Sequence, residues 1–476
     1  MRVFGRASPA GAGSSAVSHI ARCPPQVKSS TSARLPTVVA VLLLPFPVAV
    51  AVTAQQPSID IEADTAIAAA GVAQDPAELE AARAQLLELG QRYPRSLYPR
   101  FVGRSRALVE AASLGRRLGL GNAAAGELLH VLEREAENQW TARAHLELAE
   151  LVLADGDWRL AADHLWQARQ GALREAHAEP DGSRHAVDVA RLSLERMTRI
   201  HRLILRPLAG HSPWTTTRAY LPHDYLPEKL KLKKPRFVAA GPRGELVIAD
   251  DNRAVLFDPD RKVVATRELR GLARPSLGPA GALGGLSAVV PTANTVMLLD
   301  DPSAVTLQRP SGGRLDQIIT AHRGPFGSWT VLSRRVDTVL RYLPDGRLRD
   351  FTESAMARPI DLALDTTGAI HALDGGSRQT PAAVLTFASD GSLEKTFRSD
   401  WQRPAALDAD PLGNRYVLEQ RTNQILVYDP DGNLLNALGP VLPGGIELRT
   451  PTDLAVDGMG RIFIAEGRLG TVLAVE

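Results

Sequence analysis

Residues 449–476 read RTPTDLAVDGMGRIFIAEGRLGTVLAVE: three short apolar runs, DLAVD, RIFIAE and TVLAVE, separated by turn signals and followed by no fourth run. Short alternating runs bounded by Gly and Asp turns are the pattern of β-strands joined by tight connections. The same unit recurs upstream, and there each trio is followed by a fourth run. It appears well formed as KPRFVAAGPRGELVIADDNRAVLFDPDRKVVAT from Lys234, and again in the units that start at Arg358 and Arg403. Weaker copies, rich in Gly and Pro, lie between Arg274 and Phe351. The anchoring prolines are Pro235, Pro275, Pro359, Pro404 and Pro451, with Leu315-Asp316 in that place in the third unit. Their spacing of about 40–47 residues is the period of a four-stranded propeller blade.

Six units predict a six-bladed ring whose last blade lacks its outer strand. The segment KLKLKK, residues 229–234, alternates cleanly and precedes the first inner strand. It is therefore expected to pair with TVLAVE from the other end of the chain, closing the ring and removing two free edges. The turns between first and second strands (GPRG, DTTG, DPLG, DGMG) and between third and fourth (DPDR, LPDG, ASDG, DPDG) carry Asp and Gly. Asx capping and positive φ explain these residues. None has the ligand spacing of a calcium loop.

These repeats resemble the NHL family over residues 229–476: proline, small apolar strand, Asp-x-x-Gly, a strand ending in Asp or Glu, a polar loop and an aliphatic strand. The resemblance implies a six-bladed fold and a platform that usually binds proteins, peptides, glycans or RNA. It also implies a minority alternative, since some relatives in the wider six-bladed group are lyases or lactonases with a metal in the central channel.

The first half is helical. DPAELEAARAQLLELGQRYPRS opens on an Asp-Pro helix start. Ala82, Leu86 and Leu89 have the offsets 0, 4 and 7 that return as Ala161, Leu165, Ala168 and as Ala125, Leu129, Leu132. Small residues at 0 and 7 let antiparallel helices approach closely. Together with Leu148, Ala149, Val152, Gly156 and Trp158 upstream of Ala161, this resembles the tetratricopeptide repeat. Spacings of 43 and 36 residues between the anchor alanines leave an irregular helical bundle as the alternative. The expected division is a signal segment 1–54, a helical domain 55–206, a Pro- and aromatic-rich linker 207–228 and the propeller 229–476.

Residues 1–54 hold five basic residues and no acidic ones, and the remainder carries 50 basic against 53 acidic residues, a net of −3. The bulk charge gives no reason to expect nucleic acid. LPTVVAVLLLPFPVAVAV with Val52 and Ala54 before Gln55 reads as a cleaved export signal, with an uncleaved anchor as the alternative. The protein is thus expected in the periplasm or outside the cell, meeting the membrane only through that segment. Cys23, the one cysteine, would leave with it.

Two candidate sites remain. Asp361, Asp408 and Asp453 share one face of the inner strands of the fourth, fifth and sixth units, where they would hold calcium if that face lines the channel. Otherwise they cap strand ends or pair with arginine. Lys234, Arg274, Arg358, Arg403 and Arg449 stand in the loops between blades and would form a basic rim for an anionic ligand. The strand-end acids Asp250, Asp374, Glu419 and Glu466 could instead neutralise that rim. With two histidines in the propeller, His322 and His371, a three-histidine zinc site cannot be built there. No nucleophile elbow, phosphate loop or dinucleotide fingerprint is present. The sequence therefore favours an exported, non-enzymatic interaction protein for protein, peptide or glycan partners with no cofactor. A calcium-dependent lyase or lactonase is the alternative.

Overall fold

A computed structural model describes residues 60–70, 73, 75–93, 102–178, 184–220, 232, 234–279, 286–301, 303–324, 327–352, 354–365 and 368–476. The expected signal segment lies outside these. Among the described residues no helix is long and apolar enough to cross a membrane.

Helices come first: α1 (residues 60–70), α2 (Pro76–Arg92), α3 (Gly103–Arg117), α4 (Gly121–Arg134), α5 (Gln139–Ala154), α6 (Trp158–Ala178) and α7 (Arg184–Ile200), the last continued by a π-helical turn, His201–Leu205. Asp75 caps α2 by accepting from the Glu78 N–H at 2.8 Å, and Pro76 opens the helix. Each helix from α2 to α7 packs on the next. Ala82, Leu86 and Leu89 are buried against Ala107, Ala111 and Leu114 of α3, and Ala161, Leu165 and Ala168 against Ala142, Leu146 and Ala149 of α5. The third anchor set is corrected by one position. Ala124, Leu128 and Val131 are the buried residues, while Leu129 is 42% exposed.

The second half is a β-propeller. Among the described residues it has five four-stranded blades: β2–β5 (Phe237–Glu268), β8–β11 (Ile318–Phe351), β12–β15 (Pro359–Arg398), β16–β19 (Pro404–Leu438), and β20–β22 (Pro451–Val475) completed by β1 (Thr217–Ala219). Among the described residues no sixth four-stranded sheet is seen. The unit after Arg274 contributes a two-stranded sheet, β6 (Ser276–Pro279) with β7 (Leu286–Val289), and isolated bridges. Its prolines remove ladder donors and its glycines weaken strands. Even so, β6 lies between β2 and β8, so inner strands adjoin one another all round the axis.

The ring is closed from its N-terminal side, but not by KLKLKK. The outer slot beside β22 is filled by β1, with Thr217 opposite Val475 and Ala219 opposite Leu473. Trp214 before β1 is buried and donates its Nε1–H to the Gly460 carbonyl at 2.8 Å. Tyr220 after it packs edge-on against Phe257 and Phe463. These two aromatics anchor a strand that alternation alone does not reveal. Residues 229–231 and 233 lie outside the described set, and Leu232 packs part-buried at the edge of the same core. Part of the expected linker is therefore propeller.

The described residues, helices and propeller alike, fall in one compact unit. Arg199 of α7 donates to the Gly458 carbonyl, Arg202 to that of Met459 at 3.1 Å, and Leu203 lies against Gly460, where the φ of +73° also favours glycine. Leu412 of the DPLG turn packs into the α5–α7 core. The helices thus sit on the end of the ring formed by the turns between first and second strands. The opposite end, with the loops between blades, faces away from these contacts.

Candidate functional site

The repeat places its polar residues on the channel by period two. Each inner strand of the last four blades carries a bulge just after its start, at Ile318/Thr320, Pro359/Asp361, Pro404/Ala406 and Pro451/Asp453. A bulge frees a backbone carbonyl from the ladder. It also sets Thr320, Asp361, Ala406 and Asp453 at equivalent positions, with His322 and Asp408 two residues further along their own strands.

The three aspartates are drawn together, as period two predicts, and each ties its blade to the next. Asp361 accepts from the N–H of Leu407 (2.8 Å), Asp408 from that of Val456 (2.7 Å) and Asp453 from that of Val238 (3.0 Å). His322 does the same in reverse, donating Nε2–H to the Leu362 carbonyl at 2.8 Å. Burial pulls His322 down to about 4, which keeps it neutral.

Arg274 joins the two sites that the sequence keeps apart. Its side chain leaves the rim and enters the channel, with Nη1 at 2.7 Å from Asp361 Oδ1 and Nε at 2.9 Å from Asp453 Oδ1. Nη2 donates to the Ala405 carbonyl at 2.9 Å and Nη1 reaches that of Ile360 at 3.4 Å, both at bulged positions. Phe237 flanks the guanidinium at 6.0 Å. Burial opposes its charge, but Asp361 and Asp453 outweigh this and hold it above the usual arginine range. A guanidinium thus stands where a cation bridging Asp361 and Asp453 would stand. Among the described residues no group of three or more His, Cys, Asp or Glu is arranged to hold a metal ion.

Asp408 is not reached by Arg274. Burial pushes it up to about 7, opposed by the N–H groups of Val456 and Ala409. Asp453 is raised to about 7 by the same loss of water, with Arg274 opposing it.

The rim residues behave otherwise. Lys234, Arg358, Arg403 and Arg449 are exposed. Among the described residues, Asp374, Glu419 and Glu466 meet the rim through main-chain N–H bonds rather than through the side chains of Arg358, Arg403 and Arg449. Asp374 takes those of Ala357, Arg358 and Gly376 at 2.7–2.9 Å. Glu419 takes those of Arg403 and Thr422 at 2.7 Å, and Glu466 those of Arg449, Thr450 and Arg468. Arg358 Nη2 bonds the Gly375 carbonyl at 2.8 Å, and Arg449 pairs with Glu447 at 3.0 Å.

Between the Arg274 plug and the helices the channel widens into a cavity of about 540 Å³. It is lined by inner-strand residues, including Thr320, His322, Arg323 and Asp408, and by Arg116 and Arg117 of α3. Sequence reading missed these arginines and Thr320. Nothing local marks Arg117 as facing a channel more than a hundred residues away. Thr320 was findable as the repeat equivalent of Asp361.

No known family model matches the chain, and no curated protein sequence matches it. Solved structures similar to it include virginiamycin B lyase from Staphylococcus aureus, at 15% identity over 53% of this chain and 82% of that one, with a TM-score of 0.37. A gluconolactonase from Xanthomonas campestris is 17% identical over 52% of this chain and 86% of its own, with a TM-score of 0.39. The WD40 β-propeller domain of Doa1 is 10% identical over 50% and 78%, with a TM-score of 0.38. The β-propeller assignment rests on the sheets themselves.

Proposed function

We propose that the chain is an exported interaction protein, periplasmic or extracellular, that binds an anionic protein, peptide or glycan partner on the propeller rim facing away from the helices. One observation carries this reading: Asp374 and Glu419 accept the backbone N–H groups of Arg358 and Arg403, whose side chains stay exposed, as does that of Lys234, and present positive charge to solvent. A basic surface of this kind attracts anionic partners. In the same reading β6–β7 is a reduced second blade of a six-bladed, NHL-like ring, and the helices are a tetratricopeptide-like layer that offers a second protein-binding surface. The calcium-dependent lyase or lactonase alternative would require Arg274 to be displaced from Asp361 and Asp453.

The test uses residues 55–476, a short oligoglutamate peptide and a sulfated oligosaccharide, each titrated at low and high salt. Saturable, salt-sensitive binding of at least one is expected, weakened about tenfold or more in Lys234→Glu/Arg358→Glu/Arg403→Glu. Equal affinity in the triple variant, or no binding of either probe by the wild type, would overturn the reading.

A further inference from the structure

The cavity of about 540 Å³ on the helical side of the Arg274 plug is the right size for a small molecule, in the range of roughly 300–1,000 Å³. Three residues on its walls each bury a polar atom with no hydrogen-bond partner among the described residues: Nη1 of Arg117, Nε of Arg323 and Oγ1 of Thr320. Buried polar groups are normally paired, and those left over call for an explanation. Two of the three are guanidinium donors that cannot lose their charge.

The acids lining the same space have other partners. Asp361 faces Arg274, Asp365 lies 3.2 Å from His371 Nε2 and accepts from the Ala369 N–H, Asp410 accepts from the Tyr416 hydroxyl at 2.9 Å and Asn414 at 2.8 Å, and Asp457 pairs with Arg461. Asp408, raised to about 7 by burial, carries only part of its charge near neutral pH. The unmet hydrogen-bonding capacity of the cavity is therefore cationic, with one hydroxyl beside it.

The geometry points to a small-anion site: the carboxylate or phosphate of a small organic molecule accepts from Arg117 and Arg323, and a hydroxyl or carbonyl on the same molecule bonds Thr320. Guanidinium groups recognise both anions through charge-assisted hydrogen bonds. The ligand would be held between helix α3 and the propeller, making the helical layer part of the site. This site lies at the other end of the ring from the basic rim, so either reading can fail without the other.

Isothermal titration of residues 55–476 with inorganic phosphate, glycerol 3-phosphate and citrate, at constant ionic strength, tests it. At least one anion should bind saturably. Arg117→Gln and Arg323→Gln should each weaken that binding about tenfold or more, and Arg117→Lys should retain it within about threefold. Thr320→Val should leave inorganic phosphate unchanged and weaken the hydroxylated anions by about threefold or more. Thermal melts of each variant report folding, and the Lys and Val variants keep charge or shape where a Gln variant proves unstable. Failure of all three anions to bind the folded wild type would overturn the site. So would binding unmoved by Arg117→Gln and Arg323→Gln, or binding lost only in the Lys234→Glu/Arg358→Glu/Arg403→Glu rim variant.

Discussion

Arg274 and Arg403 hold the same place in the repeat, one residue before a blade's anchoring proline, and end in opposite environments. The main chain at Arg403 is held by Glu419 at the end of its own blade's second strand, and the side chain stays in water. The unit after Arg274 has no such acid. Its second strand, β7, runs into Val290 and Pro291, whose carbonyl accepts from the Ala273 N–H, while the Arg274 N–H donates to Ile319 of the next blade. Held toward β8, Arg274 reaches into the channel and meets Asp361 and Asp453. The pair shows that a degenerate repeat can be the informative one. Losing a blade-end acid and a complete sheet at one position goes with a counterion delivered to the centre of the ring.

The largest expected effect follows from removing that counterion. Arg274→Met leaves Asp361 and Asp453 buried without their positive partner and should cost about 3–5 kcal/mol in urea unfolding. A cost below about 1 kcal/mol would mean that the channel is wet enough to solvate the acids. Asp408 comes next. Burial lifts it to about 7 in the folded chain, against 3.8 for an aspartate in water. Between those values the folded chain retains a proton that the unfolded chain has released, so this group's stability contribution is greatest below the lower value and falls as pH rises toward 7. Asp408→Asn should remove that fall, so that wild type loses stability relative to the variant, on the order of a few kcal/mol, from about pH 4 to pH 7. Identical pH slopes would place Asp408 in water. The smallest effect is at the rim, where Arg403→Met should change stability by no more than about 0.5 kcal/mol. A larger loss would give the rim arginine a structural part and weaken its assignment to binding.

The strands were legible because period two and the proline anchors are local signals. The shared face of Asp361, Asp408 and Asp453 was legible for the same reason. Their use was not, because the N–H groups of Leu407, Val456 and Val238 and the Arg274 side chain come from other blades. Closure from the N-terminal side was readable from the missing fourth run. The closing strand was misread because KLKLKK alternates more cleanly than TTTRAY. The choice was made by the burial of Trp214 and Tyr220, which depends on Gly460, Phe257 and Phe463 far away in the chain. In α4 the helix was plain, but its buried face was displaced by one residue, from Leu129 to Leu128. Small and large apolar residues stand on either side there, and only the packing of α3 and α5 decides between them. Arg117 shows the limit: its sequence neighbours carry no trace of the cavity it lines.

The central claim is that Arg274 is the internal counterion of the channel acids. A double-mutant cycle in residues 55–476 tests it most directly, comparing urea unfolding of wild type, Arg274→Met, Asp361→Asn/Asp453→Asn and the combined variant at pH 7. The account predicts a coupling of at least about 2 kcal/mol, against less than about 0.5 kcal/mol for Arg403→Met combined with Glu419→Gln. A coupling near zero at Arg274 would contradict it.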